Sequence, residues 1–331
     1  MLHKSTKIKR LLLTGGCGFI GSHLTKYLLD NTDWEIVILD KLNYASEGFD
    51  RLRKLDIYKN ERLTVLSADF INSIPEGLEK EIGEVDYIIH MGAESHVARS
   101  IEDSMNFVIN NITGTVRMLE FAKKKNIEKF IYFSTDEVFG SAPEGKSFKE
   151  EDRHNPGNPY SASKAGAEDI CIAYANTYKM PIMITRTMNI FGSLQHSEKF
   201  IPTIVDSILN EKTLKIHSIK GKPAKRFYLN VENLANATLF LLERVNEFLD
   251  AEDDRKGKFN IGGEKEFDNL QLARLAASIL GKPLIYELSE SDRPGCDTRY
   301  SVDETKIRRL GWNPPKKFKE EFKKVILSYV N

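Results

Sequence analysis

The sequence predicts an α/β protein: a doubly wound parallel sheet with a smaller C-terminal substrate-binding domain. Three observations carry that expectation. A short apolar strand, Lys9 to Thr14, runs directly into glycines at 15, 18 and 21. A second strand, Glu35 to Leu39, ends on Asp40, about 20 residues past the glycines, as in a dinucleotide-binding unit. Short apolar runs then alternate with helical stretches as far as Arg186, the pattern of repeated βαβ units.

The loop Gly15-Gly16-Cys17-Gly18-Phe19-Ile20-Gly21 has the spacing G-x-x-G-x-x-G, a variant of the dinucleotide fingerprint of Rossmann folds. Its glycines allow a tight turn. They also let the backbone at Gly18, Phe19, Ile20 and Gly21 approach a pyrophosphate at the start of the helix that begins near Ser22. Asp40 is placed to accept hydrogen bonds from an adenosine ribose and to repel a 2′-phosphate, which favours NAD over NADP. Lys41 next to it works against that preference. Leu63–Leu66 is a third strand, followed by Ser67-Ala68-Asp69, and Val85–Met91 a fourth, followed by Gly92-Ala93. Asn106–Lys125 reads as one long helix, Lys129–Phe133 as a buried fifth strand and Pro181–Thr185 as a later one. Gly15, Gly18, Phe19, Ile20, Gly21, Asp40, Asp69 and Ala93 are the candidate cofactor contacts, because open α/β sheets bind ligands at the C-terminal ends of their strands.

After Arg186 the alternation loosens. Helices are expected at Phe200–Leu209, Val231–Val245, Asn269–Leu280, Asp303–Leu310 and Phe318–Val330, with short strands at Leu214–Ile216 and Lys258–Gly263. The charged run Ala251–Lys256 reads as a solvated loop. The expected division assigns 1–188 plus about 227–258 to the Rossmann domain. About 189–226 and 259–331 then form the substrate domain.

At 331 residues, with 41% hydrophobic residues, the chain can bury a full core. Lys+Arg and Asp+Glu both number 48, a formal charge of +0, which argues against nucleic acid or a membrane surface as the main partner. Cys17, Cys171 and Cys296 match no metal or disulfide spacing, so no metal is expected. No apolar run is long enough to span a membrane, and the basic start, Met1–Lys7, lacks the apolar segment of a signal peptide. The expected location is the cytoplasm.

The chemistry is concentrated in two segments. Ser134-Thr135-Asp136-Glu137 follows the fifth strand, setting two hydroxyls and two carboxyls at a strand's C-terminal end. Asn158-Pro159-Tyr160-Ser161-Ala162-Ser163-Lys164 then opens a helix on which Tyr160 and Lys164, four residues apart, share a face. A lysine ammonium beside a phenol is expected to lower the phenol's pKa and make it a usable base. Tyr160 and Lys164 therefore join both the cofactor and the catalytic candidates.

With these motifs the chain resembles the extended short-chain dehydrogenases/reductases, and among them the dTDP-glucose 4,6-dehydratase family. Thr135-Asp136-Glu137 is the sharpest point of likeness. Gly92–Ser100, Asn110–Thr115, Asn158–Lys164, Glu198–Pro202 and Asp292–Tyr300 agree over nearly the whole chain. The resemblance implies a transient oxidation at sugar C4 with NAD as cofactor. Tyr160 and Lys164 act on O4 with Thr135, Glu137 removes the C5 proton, and protonated Asp136 assists loss of O6 as water. It implies substrate contacts at Ser95, Asn189, Lys199, Arg226, Asn260 and Arg293, and a homodimer paired through the 106–125 and 160–178 helices. The departures Asn189-Ile190-Phe191-Gly192-Ser193, Arg226-Phe227-Tyr228 and Cys296 fall in the nucleotide and sugar pockets, so base and hexose stay open among dTDP-glucose, UDP-glucose and UDP-GlcNAc. A nucleotide-sugar 4-epimerase or decarboxylase on the same scaffold is the competing reading, although it leaves Asp136 and Glu137 without a task. A non-catalytic NAD-binding regulator is a more distant one, at odds with the intact Tyr160–Lys164 pair.

Overall fold

The computed structural model describes residues 7–244, 257–290 and 298–330. The charged run 251–256, Arg293 and Cys296 lie outside them. The strands in chain order are β1 (Arg10–Thr14), β2 (Glu35–Asp40), β3 (Leu63–Ser67), β4 (Tyr87–His90), β5 (Lys129–Thr135), β6 (Ile182–Thr187) and β7 (Asn189–Phe191). They continue as β8 (Leu214–Ile219), β9 (Lys222–Pro223), β10 (Lys225–Asn230), β11 (Lys258–Ile261), β12 (Glu266–Asp268) and β13 (Tyr286–Glu290).

Seven of them form one sheet in the order β11-β6-β5-β4-β1-β2-β3. The β1–β2, β2–β3, β1–β4 and β4–β5 pairs are parallel. This is the doubly wound topology the alternation predicted. Strand order reverses between β1 and β4, the switch point at which such sheets bind ligands. Two three-stranded sheets, β12-β10-β7 and β13-β8-β9, complete the set.

By its internal contacts the chain divides into two compact units, 1–94 with 105–133 and 166–184, and 95–104 with 134–165 and 185–331. The first is built on the apolar strands. Leu12, Val37, Ile88 and Phe130 pack with Met118, Leu119 and Ala122 of the helix Gly114–Lys125 and with Ala167 and Cys171 of the helix Pro159–Tyr178. These strand residues line one face of the sheet, while Leu11, Leu13, Ile36, Ile38, Ile89 and Ile131, which alternate with them and point to the other face, are buried as well. That is why the strands read as continuous apolar runs. The second unit has its own aromatic core. Phe318 stacks on Phe267 at 4.7 Å and on Phe322 at 5.2 Å, with Phe191 edge-on at 5.3 Å.

The helix expected over Asn106–Lys125 is interrupted. Residues Ser104–Phe107 are α-helical, Val108–Thr113 form a π-helical turn, and the α-helix resumes at Gly114. Asn111 braces the turn: its side-chain amide bonds both the N–H and the carbonyl of Glu94, at 2.9 Å each, which holds it against the segment following β4. Gly114 is needed beside it because a Cβ there would lie 2.4 Å from the Phe70 ring. Such widened turns occur often at functional sites. Among the described residues no helix is long and apolar enough to cross a membrane.

Candidate active site

The glycine loop turns as its sequence requires. Gly15 sits at φ +72°, and a Cβ there would lie 2.8 Å from the Gly92 Cα at the end of β4. A Cβ at Gly21 would lie 2.2 Å from the Gly15 carbonyl oxygen. The helix Phe19–Asn31 starts earlier than the expected Ser22, and its N-cap, Gly18, offers no side chain to the first-turn amides. Asp40 is buried, and both its oxygens are pinned, one by the Cys17 N–H at 2.9 Å and one by the Leu42 N–H at 2.8 Å. Burial lifts its pKa above the ordinary carboxylate value, while the two amides and the charges of Lys41 and Arg51 pull it back. A glycine cradle, an uncapped helix start and a fixed carboxylate together fit a dinucleotide. Asp69 closes an Asx turn through Ile71 N–H, and Ala93, beside Gly92, is half-buried.

The loop also rests on a chain of bonds that the sequence did not expose. Buried His90 bridges Thr14 Oγ1, 2.7 Å from Nδ1, and Thr115 Oγ1, 3.1 Å from Nε2. Thr115 donates its hydroxyl proton to the Asn111 carbonyl, so it accepts from His90 Nε2–H, and Thr14 donates to Nδ1. Cys17 is a filler. It is fully buried, and burial beside Asp40 pushes its thiol up to about 12, far from a nucleophile. Gly21→Ala is expected to weaken NAD binding by about 10- to 100-fold, the usual cost of forcing atoms into a filled site. Calorimetry with a parallel melting curve checks this and separates it from loss of fold.

The catalytic candidates lie in the second unit. Thr135 is the last residue of β5, and Asp136–Phe139 form a 3₁₀ turn, so Asp136 and Glu137 stand at the strand's C-terminal end as expected. Thr135 Oγ1 donates to Asp136 Oδ1 and accepts from the Glu137 N–H, both at 3.3 Å. Asp136 is buried, and its Oδ2 has no hydrogen-bond partner among the described residues. Burial, then the neighbouring charge of Glu137, push its pKa to about 8, against the pull of Arg226 and the Thr135 hydroxyl. The acid of the pair is thereby protonated at neutral pH. Ser134 Oγ is likewise buried without a partner.

Tyr160 corrects an expectation. Its phenol pKa is raised, not lowered. Burial is the main cause and the charges of Glu137 and Asp136 add to it, with only a hydrogen bond from Thr135 opposing. Lys164 is 4% exposed on the same helix, one turn on. Burial, reinforced by the charge of Glu137, outweighs what the helix spacing alone suggested for the phenol.

Of the substrate candidates, Arg226 lies near enough to the catalytic carboxyls for its charge to pull down the Asp136 pKa. Its guanidinium lies 4.3 Å over the Tyr300 ring, and Tyr300 donates its hydroxyl to Glu137 Oε2 at 3.2 Å. Sequence reasoning did not single out Tyr300 because 163 residues separate it from Glu137. Lys199 is paired with Glu198 at 3.8 Å, and Glu198 also faces His96 at 3.8 Å. Asn189 Nδ2 reaches the Phe227 carbonyl across β7 and β10 at 3.5 Å, and Ser95 is exposed. Asn260 is fully buried; its amide donates to the Phe148 and Asp303 carbonyls, and its Oδ1 has no hydrogen-bond partner among the described residues.

The sequence model of the family described as GDP-mannose 4,6 dehydratase matches residues 12–325. The chain is 36% identical to the low-salt glycan biosynthesis protein Agl12 of Haloferax volcanii over 97% of this chain and 98% of that protein. It is 34% identical to the dTDP-glucose 4,6-dehydratase of Haemophilus influenzae over 97% of each. Among solved structures it superposes on DesIV, a dTDP-glucose 4,6-dehydratase from Streptomyces venezuelae crystallised with NAD, with a TM-score of 0.85, 34% identity and 97% of each chain covered.

Proposed function

Since the chain belongs to the GDP-mannose 4,6-dehydratase family of nucleotide-sugar dehydratases, we propose that it is a cytoplasmic, NAD-dependent hydro-lyase. It converts a nucleoside diphosphate hexose, dTDP-glucose first and UDP-glucose or UDP-GlcNAc next, to the 4-keto-6-deoxy sugar. The observation that carries this reading is the Asp136–Glu137 pair. One carboxyl is held protonated at neutral pH beside a second that accepts a hydrogen bond from Tyr300. Elimination of water needs that combination, an acid and a base in one pocket.

Gly15, Gly18, Phe19, Ile20, Gly21, Asp40, Asp69 and Ala93 would hold NAD, with Tyr160 and Lys164 assigned to it as well, and the bound cofactor would supply a hydride acceptor for C4 and a hydride donor for C6. Tyr160 takes the proton from O4 while Thr135 steadies that oxygen. Because the Tyr160 phenol is held high by burial and by the carboxyls, the Lys164 ammonium is needed to offset their charge. With Asp136 protonated, one of the two opposing charges is already absent. The C4 ketone acidifies the C5 hydrogen, which Glu137 removes, and Asp136 donates its proton to O6 as water departs; Glu137 then returns a proton to C5 as C6 is reduced. Arg226, Lys199 and Arg293 supply cations to the diphosphate, where charge-assisted bonds are strongest, and Ser95, Asn189 and Asn260 complete the assigned substrate set.

The protein acts as a homodimer. Met105 (63% exposed), Val108, Ile109 and Tyr178 leave apolar surface on the 104–125 and 159–178 helices, which suits a second copy. Sedimentation as a monomer at micromolar concentration would refute that assignment. The reaction itself is tested by incubation with dTDP-, UDP-, GDP- and CDP-hexoses. A product lighter by one water is expected, whereas a product of unchanged mass and inverted C4 would establish an epimerase.

A further inference from the structure

Lys41 follows the carboxylate that is meant to exclude a 2′-phosphate, and a free lysine there would attract one. The structure shows where its charge goes. Lys41 Nζ donates to Glu94 Oε1 at 2.8 Å and to Asn110 Oδ1 at 2.7 Å. Glu94 is 8% exposed, and Asn43 Nδ2 donates to the same Oε1 at 3.2 Å. Asn110 is itself held, its Nδ2 donating to the Asn106 carbonyl and side-chain oxygen at 2.8 and 2.7 Å. The Glu94 backbone is fixed in turn by the Asn111 side chain. The lysine is therefore clamped by a buried carboxylate and a fixed amide, 53 and 69 residues away in sequence. Asp40 meanwhile is anchored by two backbone amides and needs no lysine to hold it.

We propose that Glu94 is a specificity-determining residue for the cofactor: by binding Lys41 it keeps that charge away from the adenosine ribose, so that Asp40 alone decides the NAD preference. This rests on the reading of the glycine loop and Asp40 as an NAD site. Glu94 works through Lys41, in two ways of the same sign. It neutralises the lysine's field, and it fixes the ammonium in place. A partly buried carboxylate is worth more in this role than a surface one, because water screens it less.

The test is equilibrium binding of NAD and NADP, by calorimetry or quenching of protein fluorescence, read as the ratio of their affinities. The ratio cancels whatever the substitution does to the shared pyrophosphate. Wild type is expected to prefer NAD. Glu94→Gln, nearly isosteric, is expected to shift the ratio towards NADP by about five- to tenfold, the effect of one uncompensated charge at partial screening. Lys41→Met added to Glu94→Gln is expected to restore the wild-type ratio within about twofold. No shift in folded Glu94→Gln, or a shift that persists in the double variant, overturns the inference. If Glu94→Gln does not fold, Asn110→Ala serves, with a smaller shift in the same direction expected and no shift again decisive against it. Failure of wild type to bind either cofactor would instead overturn the NAD site on which the inference rests.

Discussion

Glu137→Gln is expected to lose about 10²–10⁴ in turnover, the usual cost of deleting one well-placed acid–base group, while keeping the first half of the reaction. The substitution preserves shape and keeps an acceptor for the Tyr300 hydroxyl, 3.2 Å away in the wild type. It removes the only group assigned to take the C5 proton. In the proposed mechanism oxidation at C4 depends on Tyr160, Lys164 and Thr135, so the variant should still show the near-ultraviolet absorbance of reduced cofactor when sugar nucleotide is added. It should fail to exchange the C5 hydrogen with solvent deuterium. Tyr160→Phe is the matching control and should give no reduced-cofactor signal at all. Near-normal turnover in Glu137→Gln would remove the dehydratase mechanism as assigned and bring the epimerase reading forward.

Asp136→Asn is expected to cut turnover by a similar factor and, at alkaline pH, to make the protein more stable. Both effects follow from a carboxyl raised from 3.8 to about 8 by burial and by the charge of Glu137. As an acid, Asp136 works only while protonated, so wild-type turnover should fall as pH rises through about 8. The folded state binds this proton more tightly than the unfolded state. The stability it contributes is full below about pH 4 and is lost progressively as pH rises to about 8. Above that, the wild type holds a buried charge whose Oδ2 has no partner among the described residues. An asparagine holds none. Asp136→Asn should therefore be more stable than the wild type at pH 9, by on the order of a few kcal/mol, and melt above it, and the gap should close towards pH 4. Equal melting temperatures at both pH values would show that Asp136 is not the raised carboxyl.

The doubly wound sheet was legible because its signals are local. A fully buried parallel strand must be apolar along its length, as Leu11–Leu13 and Ile36–Leu39 are, and a tight turn onto a helix start must be glycine-rich. The same held for Thr135-Asp136-Glu137, since a strand's C-terminal end can be placed from its apolar run. Helix Asn269–Leu280 was read to the residue because both ends are marked, by the Asp268–Gln271 capping box and by left-handed Gly281. Short strands such as β12 and β13 carry too few residues for a period to show, and they were missed.

What the sequence by itself determined was thus the fold class, the glycine cradle with Asp40, and which residues can do acid–base chemistry. Tertiary structure decided their electrostatic state and their company. Helical spacing paired Tyr160 with Lys164 and predicted a lowered phenol pKa, whereas burial and two carboxyls raise it. A π-helical turn at Val108–Thr113, braced by Asn111 against Glu94, interrupts a helix whose composition gave no sign of one. Tyr300 reached Glu137, and Glu94 took the charge of Lys41, across separations of 163 and 53 residues. The reason is physical: propensity and periodicity act between near neighbours, but a pKa or an ion pair depends on what packs around a group and excludes water from it.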